Sequence, residues 1–283
     1  MKKLIASFVA ALFCLTLLAQ GTVSTKKYRL NDFTDKVTQV VLSGNSVLDG
    51  ALRQEVINQW TASAYEFCTP AEFEQRKTSD QFYFLLLADT HTKENSDPGI
   101  TFLTLVKGDA TAKDGLAKMP EIISLPVCPA EGNSGRELVY LGSLVKAVQS
   151  FTLAAMESEK TAYQMDAWFN EKYARDGSHK RIYLALSDIA PQVSERDGEK
   201  YLDDDILLCD DEEEADRMFQ LGSYNTLVGF VVAPSVPTSD SWCYKMLIDA
   251  ENHDLYYIRR HKIGNRAGVG FLADDLKRMA QGR

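Results

Sequence analysis

Histidine is scarce in this 283-residue chain, which has only His91, His179, His253 and His261. The five cysteines form no C-x-x-C, and no cysteine–histidine group has zinc-site spacing, which argues against a redox or structural-zinc role. No serine sits in a G-x-S-x-G elbow, so nothing in the spacing marks a serine nucleophile; Ser43, Ser187 and Ser235 merely fall near predicted strand ends. The glycines of Gly264-Asn265-Arg266-Ala267-Gly268-Val269-Gly270 lack both the P-loop lysine and the GxGxxG order of a phosphate cradle. The acidic groups Asp203-Asp204-Asp205 and Asp210-Asp211-Glu212-Glu213-Glu214 lack the alternating ligands and central glycine of a calcium loop. Acids at a helix start are explained by the helix dipole instead. No metal and no cofactor is expected.

Positive charge is also in short supply. With 31 basic and 40 acidic side chains the net charge is −9. A field of that sign excludes nucleic acid and anionic lipid as partners through overall attraction.

At the N-terminus, Lys2 and Lys3 precede an uncharged apolar run from Leu4 to Leu18, followed by Ala19-Gln20-Gly21. A basic start, a short apolar core and small exit residues make up a secretory signal peptide, too short to span a bilayer comfortably. The expectation is an exported chain, periplasmic or secreted, soluble after cleavage near residue 19. No integral membrane segment is then expected, and the net charge becomes −11 once Lys2 and Lys3 are gone. Four cysteines remain, Cys68, Cys128, Cys209 and Cys243, and three pairings are open to them.

The centre of the chain is the stretch from Arg136 to Tyr173, which contains no proline and a single glycine, Gly142. Leu141, Leu144, Val148, Phe151 and Ala155 recur at helical spacing, and Leu138 and Val145 widen the same stripe. Glu157-Ser158-Glu159-Lys160 interrupts the pattern before Tyr163, Trp168, Phe169 and Tyr173, so one bent helix or two shorter ones fit.

What precedes this stretch is written again after it. Val37–Leu42, Tyr65–Cys68, Phe82–Ala88, Ile100–Val106 and Glu121–Val127 read as strands. A helix marked by Val47, Leu48, Ala51, Leu52, Val56 and Trp60 follows the first. Thr69-Pro70-Ala71-Glu72 is a capping box with proline at the first helical position. In the second copy Arg181–Leu186, Asp205–Cys209, Leu227–Ala233, Tyr244–Asp249 and Leu255–His261 are the strands. Asp210-Asp211-Glu212-Glu213 answers the capped start, and Gly264-Asn265 answers Gly132-Asn133 before the last helix, with Leu272, Leu276 and Met279. The first helix of this copy is poorly marked, since Ala190 to Lys200 contains proline and glycine.

The fold expected is thus α+β or α/β: a tandem duplication of a mixed-sheet domain with helices packed on the sheet, linked by a long helix. The organisation expected is a signal peptide over 1–19, an N-terminal arm over 20–35, a first repeat with the linking helix over 36–175, and a second repeat over 178–283. The element order of each half resembles the small α/β domain of periplasmic envelope proteins, such as the N-terminal domain of TolB and the curli secretion channel. The whole chain is similar to uncharacterised exported proteins common in Bacteroidota. The first resemblance implies binding or assembly at the envelope, with another envelope protein or a small ligand as partner; neither brings catalytic residues.

Two groups of side chains stand out. Arg259-Arg260-His261-Lys262 with Arg266 is the one basic cluster, placed on a strand where it would capture an anionic group or blunt an edge against aggregation. Asp89-Thr90-His91 follows a buried strand, a position at which α/β folds often hold ligands. The alternative function is therefore a secreted hydrolase with a site near Asp89 and His91, although polar residues also collect in such loops without any role. His253 is expected in an exposed hairpin turn. A junction between the halves, contacted by Trp168, Phe169 and Tyr173, is the expected place of a binding site.

Overall fold

The computed structural model describes residues 30–91, 98–132, 135–239 and 241–281. The leader expected over 1–19 and the loop containing Asp97 lie outside them. The strands are β1 (Val37–Val41), β2 (Ala64–Cys68), β3 (Phe82–His91), β4 (Pro98–Lys107) and β5 (Glu121–Pro129) in the first half. Those of the second are β6 (Arg181–Ala185), β7 (Ile206–Cys209), β8 (Thr226–Val232), β9 (Trp242–Asp249) and β10 (Leu255–Lys262). The helices are α1 (Ser46–Gln59), α2 (Pro70–Arg76), α3 (Arg136–Glu157), α4 (Glu159–Ala162), α5 (Met165–Lys172), α6 (Glu195–Tyr201), α7 (Glu212–Gln220) and α8 (Ala273–Gln281).

The strands form two five-stranded sheets, ordered β2-β1-β3-β4-β5 and, in equivalent direction, β7-β6-β8-β9-β10. In each, the first strand lies parallel to both of its neighbours and the last three run antiparallel. Both sheets are mixed, and the topology repeats strand for strand. Cys68 and Cys209 correspond, Val41 pairing with Cys68 and Ala185 with Cys209, whereas Cys128 and Cys243 lie on non-equivalent strands.

Local chemistry accounts for the elements. Asn45 caps α1 by accepting from the backbone of Val47 and Leu48, and α1 buries Leu48, Leu52 and Val56. Val47, by contrast, is exposed at the first turn, on the side away from the sheet. The Thr69/Glu72 capping box forms in full, and α2 sets Phe73 edge-on against Phe84 at 5.0 Å. Asp211 caps α7, and Glu214 reaches back to the Asp210 backbone, so the acids there serve the helix start. The poorly marked helix of the second copy is the two-turn α6, capped by Ser194 and without a buried residue.

The central stretch is three helices, broken at Ser158 and Gln164. Leu141, Leu144, Val145, Val148, Phe151 and Ala155 of α3 are fully buried, each large one stabilising by about 1.5–3 kcal/mol. Leu138 faces partly to solvent and does not belong to the stripe; in the first turn of α3 it is Arg136, Glu137 and Tyr140 that are buried. Gly142 lets α1 cross closely: a Cβ there would run into the ends of Glu55 and Gln59. The arm expected over 20–35 ends inside the core, with Leu30 and Phe33 fully buried and Phe33 edge-on to Tyr83 at 4.9 Å.

The Gly-Asn correspondence carries less than its spacing suggests. Arg136 of α3 starts soon after Gly132, whereas Gly264 opens a turn closed on Ala267 and α8 begins only at Ala273. Gly270 has its own reason, with φ at +117° and a Cβ position blocked by the backbone of Asp188 and Ala190. This close approach lets Phe271 form a bridge with Ile189.

Candidate functional site

The two halves share one apolar core, which runs from Leu30 through α3 to Met246, Ile248 and Ile258 of the second sheet. α5 contributes at β10, the edge strand. Asn170 there donates to the carbonyl of Ile258 and accepts from its N–H, occupying the edge as a neighbouring strand would. Phe169 packs on Phe151, and Tyr173 meets Tyr257 edge-on while donating to the Met279 carbonyl. Of the three residues expected to meet the second half, Tyr173 does so, while the rings of Trp168 and Phe169 pack on Phe151 of α3.

The beginning of the stretch makes a contact that the periodicity does not reveal. Arg136 reaches into the second half and bonds Asp188 at 3.1 Å and Asp216 at 3.0 Å, with Glu212 at 3.6 Å. Tyr140 lies stacked on Phe230 and donates to Asp216 at 2.7 Å. Burial pushes the Asp188 carboxyl up to about 7, against the pull of Arg136 and with Glu212 and Asp216 adding to the rise. This is the electrostatic clamp between the halves rather than an open site.

The basic cluster divides. Ile263 N donates to Ser241 O, so Ile258, Arg260 and Lys262 turn their backbone groups away from β9, and side chains alternate between the two faces. Arg259 points toward α8 and is engaged by Asp274 at 2.9 Å and Asp275 at 3.0 Å. Asp275 also holds the buried Lys245 at 2.5 Å and receives the Tyr257 hydroxyl. His261 bonds the Gly268 carbonyl at 2.8 Å. Arg266 is exposed in the turn that follows Gly264. Arg259 is therefore part of the packing.

Arg260 and Lys262 lie on the other face with Trp242 and Tyr244. The Arg260 guanidinium stacks over the Trp242 ring at 4.6 Å, and the Lys262 ammonium lies 5.8 Å from it. Arg260 also reaches the Tyr244 hydroxyl at 3.4 Å, a long and weak bond. Tyr244 meets Phe102 of the first half edge-on at 5.4 Å, which brings the strip to the junction. Burial, with the negative charges of Asp166 of α5 and Glu121 of β5 adding to it, pushes the Tyr244 hydroxyl above its ordinary range against the pull of Arg260. Burial raises both carboxyls: Arg260 and Arg259 oppose this at Asp166, and the Ser124 hydroxyl opposes it at Glu121. Asp166 is flanked by protein yet open to solvent, and Arg260 and Lys262 are exposed. The arrangement offers a cationic fork on an aromatic base at the junction of the halves.

A separate depression of about 310 Å³ is lined by Gln59, Lys146, Gln149, Asn252 and His253. Its polar atoms serve the fold. Gln149 accepts from the Thr61 and Ala62 backbone, and Lys146 pairs with Asp254 at 2.8 Å. His253 lies in the turn between β9 and β10, as expected, but half-buried rather than exposed: its backbone has φ at +63° and its ring packs against Phe219 at 4.9 Å. Asp89 accepts from Thr101 at 2.5 Å, and the His91 side chain lies outside the described residues. The three serines are turned to other groups, Ser43 to Asp49, Ser187 to Glu212 and Ser235 to the Glu131 carbonyl. No grouping of His, Cys, Asp and Glu suited to a metal ion occurs among the described residues.

The sequence marked Arg260 and Lys262 but missed Trp242, Tyr244, Asp166 and Glu121, which are scattered over three elements, β9, α5 and β5. Only the alternation of Trp242 and Tyr244 along a strand hinted at a shared face. No family model, curated protein or solved structure matches the chain.

Proposed function

We propose that this chain is an exported protein of the cell envelope that acts by binding or assembly, capturing an anionic group of a ligand or partner protein at the Arg260 strip. The observation that carries this reading is the stack of Arg260 on Trp242 in an exposed position at the junction. Asn170 blocks the edge of β10 at Ile258, so the charges of Arg260 and Lys262 would guard the edge only over the last residues of the strand. In a chain with net charge −9, two exposed cations side by side mark a place of attraction. Export rests on the basic start, the apolar run and Ala19-Gln20-Gly21.

The test is affinity capture from native envelope extract with the full mature chain against its R260E/K262E variant. An anionic component retained by the first and lost by the second is expected at low salt. Identical retention by both variants would overturn the assignment. N-terminal sequencing of the purified protein should find cleavage near residue 19; an intact Met1 in the membrane fraction would refute export.

A further inference from the structure

We infer that the anionic group held at the Arg260 strip is the acidic segment around β7 of a second copy of this chain; this deepens, and rests on, the anion-capture reading above. β10 and β7 are the two outer strands of the second sheet. Among the described residues β7 pairs with β6 alone, and Asn170 covers β10 at Ile258. Asp203, Asp204 and Asp205 precede β7, and Asp210 and Asp211 follow it. All of these are exposed, and Leu208 between them is 41% exposed. At the other edge, exposed Arg260 and Lys262 share the Trp242 ring, and Arg266 is exposed in the next turn. One sheet thus ends in opposite charges.

The duplication shows that the fold requires neither charge. β2 stands where β7 does, yet Ala62 and Ser63 before it and Thr69 and Pro70 after it are uncharged. β5 stands where β10 does and contains no lysine or arginine. Only the second unit carries both members of a complementary pair. Asp203 serves the turn into β7 and Asp211 caps α7, but Asp204 and Asp210 take no part in either.

The two edges cannot meet within one molecule. Three strands lie between them, which at the usual strand spacing is roughly 19 Å, about twice the Debye length at physiological salt. The charges are therefore matched by a neighbouring copy, edge to edge. The Arg260 fork takes an aspartate in parallel bonds, and Leu208 gives the half-buried Trp242 ring an apolar contact. Such a contact is head to tail, so it builds a ring or an open filament.

The experiment is sedimentation equilibrium of the full mature chain, wild type against R260E/K262E and D204K/D210K, each alone and the two variants mixed in equal amounts. The wild type is expected to gain mass with concentration, and to gain less at high salt. Each variant alone should stay monomeric, its association weakened by about a hundredfold or more because like charges now meet. The mixture should form a one-to-one complex that grows no further, since each variant keeps the edge that the other has lost. That complex also shows both variants to be folded; R260Q/K262Q and D204N/D210N replace them if charge reversal unfolds either. A wild type that stays monomeric at every concentration, a variant that associates like the wild type, or a mixture without complex overturns the self-capture assignment. Anion capture itself stands if R260E/K262E still loses an envelope component that the wild type retains, and falls as well if both retain the same components.

Discussion

Arg136 and Asp188 form an ion pair at 3.1 Å that joins the start of the linking helix to the second half, with both side chains almost wholly withdrawn from water. Asp216 completes the pair, and Arg136 also bonds the Gly229 carbonyl. Removing the cation leaves Asp188 and Asp216 buried and uncompensated. Arg136→Met is therefore expected to destabilise by about 3–5 kcal/mol, the usual effect of breaking a buried pair from one side. Chemical denaturation of the full chain measures it. A loss under about 1 kcal/mol, as at surface pairs, would show that the clamp is unimportant.

The same clamp gives stability a pH dependence. The folded-state pKa of Asp188, about 7, lies above the ordinary 3.8, so the folded protein binds this proton more tightly than the unfolded chain does. Its contribution is complete below 3.8 and is lost as pH rises through 7. Melting temperature should therefore rise as pH is lowered from 8 toward 5, and Asp188→Asn should flatten that rise. A profile identical in the variant would reject the assignment to Asp188.

Asp32 works in the opposite sense. Burial alone would raise its pKa, but hydrogen bonds from Lys36, Lys107 and Tyr83 outweigh it and hold the carboxyl at about 2. The stability it contributes is present above 3.8 and is lost as pH falls through 2. Asp32→Asn should lower stability at neutral pH and shift the acid unfolding midpoint upward, measured by circular dichroism.

Gly270→Ala tests the docking of the last loop. A methyl group would be driven into backbone atoms of Asp188 and Ala190 at an already left-handed φ, so a loss above about 2 kcal/mol is expected. Gly44→Ala, also at positive φ but in open space, should cost only about 1–2 kcal/mol. Equal effects in denaturant titrations would mean that the contact at Gly270 relaxes.

Cys68, Cys128, Cys209 and Cys243 are free and buried, and burial raises each thiol to about 11. They should resist a thiol reagent until the chain unfolds. Mass spectrometry without reductant should find no disulfide-linked peptide among them; a Cys68 or Cys209 cross-link would contradict the free-thiol arrangement.

The strands, the capped helix starts and the duplication could be read from the chain because they follow from local rules: β-branched runs, Thr69-Pro70-Ala71-Glu72, and periodicity along α3. The same rules marked Arg260 and Lys262 as unusual cations. They did not show that Arg259, their neighbour, turns to the opposite face and is consumed by Asp274 and Asp275. Nor did they show that Arg136, at the polar start of an apolar helix, would be more deeply buried than any residue of the basic cluster. Strand alternation divides neighbours between faces, and ion pairs form between residues far apart in the chain. Such pairings depend on how the halves stack, and that was decided only by tertiary packing of α3 and α5 against the second sheet.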